Sequence, residues 1–273
     1  MIKSKIIRFS TLFILVLFVN LTVYSIKLDK VILGCDANPL YTDFWPLVPN
    51  VWSKLVGLPS ALGFIAPKDY AIDESAGQVV RFEPIPGIPT SFQAQVIRLL
   101  LPAFFEDEVC ILSDMDMIPL SRSYFVDSVA SFPSDCFIIY RDGSYKGWQL
   151  TEYLEYPMCY CAAKGRIFKE IFNIASIDDI PRIIREWYDH GVGWTTDQQM
   201  LYFSVNAWEE KNPGRVIRLG HNDAGRLDRQ RWGYNKQILR NGGYIDSHLL
   251  RPYSVYEKEI IQLVKDLGIS FEN

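Results

Sequence analysis

A chain of 273 residues with 49% hydrophobic and 22% charged side chains is long enough for one large folded domain, and this composition excludes a disordered chain. The formal net charge of −4 is spread along the chain without a basic block. Proteins that bind DNA or RNA need clustered lysine and arginine to contact phosphates, so nucleic acid is excluded as the expected partner.

The N-terminus has the pattern of a membrane anchor. Three basic residues among the first eight precede an uncharged apolar run from Phe9 to Ile26. A helix of that length just spans the bilayer core, which is about 30 Å thick. A cleaved signal peptide is the alternative, but no small-x-small cleavage site follows the run. We therefore predict an uncleaved transmembrane helix within residues 1–29.

The charges beside this anchor predict its orientation. Basic residues before a membrane span keep that end in the cytoplasm. Residues 30–273 would then form one domain that faces a lumen or the exterior. This is the layout of a single-pass type II membrane protein of the Golgi or endoplasmic reticulum, if the source is a eukaryote or a virus.

The five cysteines do not have the spacing of a metal site. They are Cys35, Cys110, Cys136, Cys159 and Cys161. Cys110 lies in an apolar strand pattern, and Cys159 and Cys161 would face the same side of an extended strand. We expect most of them to be buried as small apolar side chains. One lumenal disulfide is the open alternative, and its pairing is not assigned.

Strand and helix patterns alternate in the first half of the domain. The apolar run at 30–36 ends in small and turn residues, which is typical of a buried strand. The helix at 90–105 can be capped by Thr90 or Ser91. This alternation predicts an α/β fold with a mostly parallel sheet and helices on both faces. The predicted elements are strands at 30–36, 60–67 and 108–114 and helices at 43–57 and 90–105.

The second half of the domain is less regular. It contains further strand patterns and two clear helix patterns, and it has no internal repeat. No stretch rich in glycine or serine divides it from the first half, so we predict an anchor followed by one domain. The predicted strands are 133–142, 156–165, 214–220 and 242–248, and the predicted helices are 166–175 and 196–208.

Two aspartates stand where the most convincing strand ends. Asp114 and Asp116 follow the apolar run of the strand at 108–114. Ligands of an open parallel sheet bind beyond the carboxyl ends of its strands. Two carboxylates together with diphosphate oxygens suit Mg²⁺ or Mn²⁺. The alternative is that both residues only begin a loop. Their position at the strand end favours a metal site.

The block from Gln95 to Phe125, QVIRLLLPAFFEDEVCILSDMDMIPLSRSYF, resembles the nucleotide-sugar-binding half of GT-A-fold glycosyltransferases. It is most similar to the glycogenin and glycosyltransferase family 8 type. In those enzymes a helix bearing an arginine leads to a strand, an Asp-x-Asp pair and a short apolar exit. The resemblance extends from about Lys30 to Tyr253. It implies a GT-A (Rossmann-like) fold with a mixed, mostly parallel sheet.

The resemblance also implies an activity. Such enzymes move a sugar from a nucleotide-diphosphate sugar to an acceptor hydroxyl, here on a glycan, protein or lipid. Asp114 and Asp116 would hold Mn²⁺ or Mg²⁺, which bridges the two donor phosphates and acts as a Lewis acid. The glycogenin-like layout favours retention of the anomeric configuration.

Five further residues match the resemblance. Asp36 and Tyr41 would bind the ribose and the base, and Arg98 would face the diphosphate. Asp197, followed by Gln198, would bind the donor sugar or the acceptor. Each has a plainer alternative. Asp36 and Tyr41 can be a turn and a packed aromatic, and Arg98 can be a surface residue paired with a glutamate. Asp197 can stabilise a helix N-terminus.

The third metal ligand of such enzymes is usually a histidine near the C-terminus. His221 and His248 each follow a predicted strand, whereas His190 lies in a predicted loop. We favour His248, because a Pro-aromatic pair follows it closely. His221 instead opens a polar stretch with three arginines that could serve phosphate or acceptor recognition. These are Arg226, Arg229 and Arg231.

Two other functions compete with the glycosyltransferase. A haloacid-dehalogenase-type phosphotransferase also places Asp-x-Asp after a strand, but its later Gly-Asp-x-x-x-Asp element has no match in this sequence. A non-catalytic relative that binds glycans or partners at the membrane is the third hypothesis. The intact Asp-x-Asp and Asp-Gln elements favour the enzyme.

Overall fold

The computed structural model describes residues 25–144, 154–220 and 225–270. Most of the predicted anchor and His221 lie outside the described residues. In the part of the chain that is described, no helix is long and apolar enough to cross a membrane.

A seven-stranded sheet forms the centre of the described domain. Its strand order is β3-β2-β1-β4-β7-β6-β8. All neighbouring strands are parallel except β7, which runs antiparallel to both β4 and β6. The predicted mixed, mostly parallel sheet is therefore confirmed. Its strands are β1 (Lys30–Asp36), β2 (Ser60–Ile65), β3 (Gln78–Phe82), β4 (Val109–Leu112), β6 (Phe137–Asp142), β7 (Cys161–Lys164) and β8 (Val216–Gly220).

A smaller sheet lies beyond the end of β4. It has the order β5-β10-β9, with β5 antiparallel and β9 parallel to β10. The antiparallel register pairs His248 with Met117, so the end of β10 lies beside the chain segment that follows β4. Its strands are β5 (Met117–Pro119), β9 (Arg226–Leu227) and β10 (Asp246–His248).

Helices cover both faces of the large sheet, as buried parallel strands require. Alternate residues of β1 enter opposite cores: Val31 and Leu33 pack on one side and Ile32 on the other. The helices are α1 (Pro39–Thr42), α2 (Leu47–Val51), α3 (Thr90–Leu100), α4 (Arg122–Val126), α5 (Gly165–Ile171), α6 (Ile180–Asp189), α7 (Thr196–Lys211), α8 (Lys236–Arg240) and α9 (Tyr253–Asp266), with a π-helix at Trp52–Val56. The core on one face contains residues of α3, α5, α6 and α7, and the core on the other contains residues of α2, α4, α8 and α9.

The folded domain includes residues that precede its predicted start at Lys30. Ile26 and Leu28 are buried in the core. The backbone N–H of Ile26 donates to the carbonyl of Phe132 at 2.8 Å, and that of Asp29 donates to Val109 at 2.9 Å. The last residues of the predicted anchor segment thus belong to the domain.

The structure contains elements that the sequence reading missed. They are α1, β3, β5, α4, α6, β9, α8 and α9. The predicted strand at 156–165 forms only at Cys161–Lys164, where it pairs with both neighbours. All five cysteines are buried and free, which confirms the expected apolar role and leaves no disulfide among them.

Candidate functional site

The site lies where the order of the large sheet reverses. The chain goes from β1 outward to β2 and β3, and then returns to place β4 on the other side of β1. The carboxyl ends of two such strands diverge and leave a crevice, the usual ligand site of open α/β sheets. β1 ends at Asp36, and β4 ends two residues before Asp114.

A cavity of about 360 Å³ occupies this crevice, and all eight residues predicted for the site line it. The predicted set is Asp36, Tyr41, Arg98, Asp114, Asp116, Asp197, Gln198 and His248. The other residues that line the cavity include Trp194, Arg226, Arg229 and Arg251.

A glycine lets α3 bring Arg98 into the cavity. A Cβ at Gly34 of β1 would lie 2.6 Å from the carbonyl oxygen of Ala94 and 3.0 Å from the Cβ of Arg98. Only glycine therefore allows α3 to pack this closely on β1. The packing explains why Arg98 is only 7% exposed although it is charged.

Arg98 joins two of the predicted aspartates. Its Nη1 contacts the carboxylate of Asp114, and its Nη2 lies 3.4 Å from Oδ2 of Asp197. The alternative of a surface arginine paired with a glutamate is therefore wrong. Asp197 is 2% exposed, and this burial raises its pKa above the usual value although Arg98 and the backbone N–H of Gln198 oppose the shift.

Asp116 is surrounded by two guanidinium groups and an imidazole. Its Oδ2 lies 2.9 Å from Nη1 of Arg229, 3.4 Å from Nε of Arg251 and 3.5 Å from Nε2 of His248. Burial alone would raise the pKa of Asp116, but these three neighbours outweigh it and hold the pKa at about 2. The carboxylate is therefore ionised throughout the physiological range.

The imidazole of His248 is oriented by a second carboxylate. Its Nδ1 lies 3.4 Å from Oδ2 of Asp228, and its Nε2 contacts the guanidinium of Arg229. The Nδ1 side of the ring therefore faces Asp228, and the Nε2 side faces Asp116 and the cavity. This arrangement, a histidine oriented by a carboxylate behind it, is typical of metal ligands in proteins.

Two of the three predicted metal ligands lie together. Oδ2 of Asp116 and Nε2 of His248 are 3.5 Å apart, a distance that two ligands of one ion can have when each is about 2.0–2.2 Å from it. Asp114 instead contacts Arg98. Within 25–144, 154–220 and 225–270, no three His, Cys, Asp or Glu side chains gather closely enough to hold a metal ion. The donor atoms fit Mn²⁺. Asp114 could join them only by leaving Arg98, and Arg229, which contacts both Asp116 and His248, would have to move aside.

Asp36 and Tyr41 lie at the β1 end of the cavity. Oδ2 of Asp36 accepts a hydrogen bond from the hydroxyl of Thr90 at 2.7 Å. Thr90 therefore does not cap α3, whose N-cap residue is Pro89. The hydroxyl of Tyr41 accepts from Nη1 of Arg251 at 2.7 Å, and the guanidinium lies 5.3 Å from the Tyr41 ring centre. Arg251 thus connects Tyr41 with Asp116.

Arg226 is held in place by a fully buried acid. Its Nε donates to Oδ1 of Asp246 at 2.9 Å, and Asp246 has no exposed surface. Its Nη2 lies 3.7 Å from Sγ of Cys159, which also lines the cavity. Arg226 and Arg229 were predicted to serve phosphate or acceptor recognition, and both reach the cavity, whereas Arg231 is exposed.

Comparison with known proteins adds no assignment to this geometry. No protein-family model matches the sequence, and no curated protein matches it significantly.

Proposed function

We propose that this protein is a metal-dependent glycosyltransferase with a GT-A-type fold, which moves a sugar from a nucleotide-diphosphate sugar to an acceptor hydroxyl. One observation carries the proposal. Eight residues chosen from sequence resemblance, spread from Asp36 to His248, line one cavity at the switch point of the sheet. The mixed sheet with one reversed strand agrees with the fold that the resemblance implies.

The size and charges of the cavity support a diphosphate ligand. A volume of about 360 Å³ lies within the range of small-molecule sites. Four guanidinium groups line it, and arginine binds phosphate oxygens through paired hydrogen bonds. They belong to Arg98, Arg226, Arg229 and Arg251.

The same cavity supports a divalent ion. Asp116 and His248 would hold it, because their oxygen and nitrogen donors lie together. Asp114 would leave Arg98 to join them, and Arg229 would move away from Asp116 and His248 to make room for the ion. When bound, Mn²⁺ or Mg²⁺ supplies Lewis-acid stabilisation of the charge that develops on the leaving nucleoside diphosphate.

The remaining predicted residues have roles that their surroundings can support. Asp36 and Tyr41, at the end of β1, would bind the ribose and the base. Asp197 is buried beside Arg98 and offers a carboxylate oxygen to a sugar hydroxyl. Gln198 follows it on the first turn of α7 and can donate and accept hydrogen bonds. Fixed polar groups of this kind orient two substrates, which is a large part of such catalysis.

The location of the enzyme is also a proposal. The anchor predicted within residues 1–29 would hold a lumenal catalytic domain at a membrane, with a glycan, protein or lipid as acceptor. Retention of the anomeric configuration follows the glycogenin-like resemblance.

A donor panel tests the activity. The full-length chain is incubated with Mn²⁺ and UDP-, GDP- and CMP-sugars, and release of the free nucleotide is measured. We expect hydrolysis of at least one nucleoside diphosphate sugar that stops with EDTA and in Asp116→Asn. Release of phosphate from p-nitrophenyl phosphate would instead support a phosphotransferase. Tight nucleotide-sugar or glycan binding without turnover would support a non-catalytic relative.

A further inference from the structure

An indole ring stands exposed at the edge of the cavity. Trp194 lines the cavity and is 64% exposed. An exposed indole presents a large apolar surface to the solvent. Such a surface next to a cavity indicates a binding site. By contrast, four other tryptophans are buried: Trp45, Trp52, Trp187 and Trp208.

The backbone around this ring is well anchored. Gly191 and Gly193 both have φ of +74°, which glycine adopts readily and which turns the chain sharply between α6 and α7. The hydroxyl of Thr196 donates to the carbonyl of Gly193 at 2.7 Å. Nε2 of Gln199 donates to the hydroxyl of Thr195 at 3.2 Å. The chain thus presents the indole from a fixed turn.

Trp194 belongs to the side of the cavity that holds Asp197. It lies three residues before Asp197 and just before α7, whereas Asp36 is the last residue of β1 and Tyr41 follows that strand. If Asp36 and Tyr41 bind the nucleoside, the indole is next to the sugar end of the donor. A second substrate must enter at that end.

We propose that Trp194 is the acceptor platform of this enzyme and that the acceptor is a saccharide. This inference rests on the proposed function. A sugar ring has an apolar C–H face and a polar edge of hydroxyls, so one face would stack on the indole while the hydroxyls reach Asp197 and Gln198. Thr195 and Gln199, which follow Trp194 in the chain, are polar and hydrogen-bonded to each other. Polar neighbours of this kind fit a saccharide better than a lipid chain, which would need continuous apolar surface.

The stacked sugar would supply the attacking group. Its hydroxyl oxygen forms the new bond to the anomeric carbon of the donor as the bond from that carbon to the diphosphate oxygen breaks. The bonding electron pair leaves with the nucleoside diphosphate, which also takes the hydroxyl proton.

Binding to the indole can be observed directly. The full-length chain is labelled with ¹⁵N at its tryptophan side chains and kept in a detergent without a sugar headgroup, and Trp194→Phe identifies the Trp194 signal. Methyl glycosides of glucose, galactose, mannose and xylose are the probes. We expect at least one to shift the Trp194 signal saturably. Calorimetry, which does not depend on that signal, should give an affinity about tenfold lower in Trp194→Ala and largely kept in Trp194→Phe.

Two controls separate this inference from the proposed function. Binding of UDP, GDP and ADP with Mn²⁺ should stay within about twofold of the parent in Trp194→Ala, because the indole contacts the acceptor alone. Phe203→Ala removes another exposed aromatic of α7, 44% exposed and not in the lining of the cavity, and should change neither binding.

Three results would overturn the inference. They are equal loss of nucleotide binding in Trp194→Ala, no response of the Trp194 signal to any glycoside, and a response to phospholipid vesicles in place of the glycosides. If no nucleotide binds to the parent chain, the proposed function fails. The glycoside titration still decides whether Trp194 is a saccharide site.

Discussion

His248 faces Asp116 because β10 pairs with β5. The antiparallel register places His248 opposite Met117, and the backbone N–H of Leu249 donates to the carbonyl of Asp116 at 2.9 Å. Two residues that are 132 positions apart in the sequence therefore bring Nε2 and Oδ2 within 3.5 Å. A backbone register, rather than a flexible loop, sets the geometry of the proposed metal site.

The first prediction concerns the imidazole. His248→Ala should lower the affinity for Mn²⁺ in the nucleotide complex by at least about tenfold. The substitution removes one ligand of the ion, and Asp228 then has no imidazole to orient. His190→Ala is the matched control, since His190 is an exposed residue at the end of α6. Titration with Mn²⁺ in the presence of a bound nucleotide measures the effect. Equal Mn²⁺ affinity in the two variants would exclude His248 as a ligand.

The second prediction concerns acid stability without metal. The pKa of Asp116 is lowered in the folded state to about 2, so its ionised form contributes stability above the unfolded pKa of about 3.9. That contribution, about 2 kcal/mol, should be lost as the pH falls from about 4 through about 2.

Urea unfolding in EDTA tests this pH dependence. The difference in unfolding free energy between the parent and Asp116→Asn should be largest above pH 5 and should shrink towards pH 2. A difference that stays constant over this range would show that the neighbouring cations do not stabilise the ionised carboxylate.

The third prediction concerns the arginine between two acids. Arg98→Met should destabilise the fold by about 3–5 kcal/mol, because it leaves the buried carboxylate of Asp197 without its cation. Adding Asp197→Asn should recover much of this loss, since the remaining buried group is then neutral. Unfolding free energies of the two single variants and the double variant form a thermodynamic cycle. Additive losses would contradict the pairing.

The fourth prediction concerns the contact of α3 with β1. Gly34→Ala places a Cβ against the backbone of Ala94, so we expect a loss of about 1–3 kcal/mol and weaker nucleotide binding as Arg98 shifts. Gly220→Ala is the control, because a Cβ there meets nothing within 4 Å. Its stability should change by no more than about 0.5 kcal/mol. Equal effects of the two substitutions would refute the close approach.

The sequence predicted the parts of the site that depend on local pattern. Asp36 ends one apolar strand and Asp114 follows another, and the carboxyl ends of neighbouring parallel strands meet at one edge of a sheet. The position of Arg98 in the motif that precedes β4 indicated its place in the site. The proximity of these residues follows from the strand order of an α/β fold alone.

The parts that the sequence did not predict depend on long-range pairing. Arg251 reaches Asp116 only because β10 pairs with β5, and no local pattern records that pairing. Trp194 could have been found from the sequence, because a tryptophan between glycine and threonine lies outside the apolar periodicity that predicts burial. Helix α6 was also detectable, because its buried residues follow helical spacing. They are Ile180, Ile183, Ile184 and Trp187.

The central claim is that Asp116 helps to hold a metal-bound nucleoside diphosphate. Calorimetry of the full-length chain with UDP, GDP and ADP, with Mn²⁺ and with EDTA, tests it most directly. Asp107→Asn is the control, because the Asp107 side chain is 91% exposed at the opposite end of β4. We predict that at least one nucleotide binds at least about tenfold more tightly with Mn²⁺, that Asp116→Asn abolishes this gain and that Asp107→Asn keeps it. A nucleotide affinity that is the same with Mn²⁺ and EDTA, in the parent and in Asp116→Asn alike, would contradict the claim.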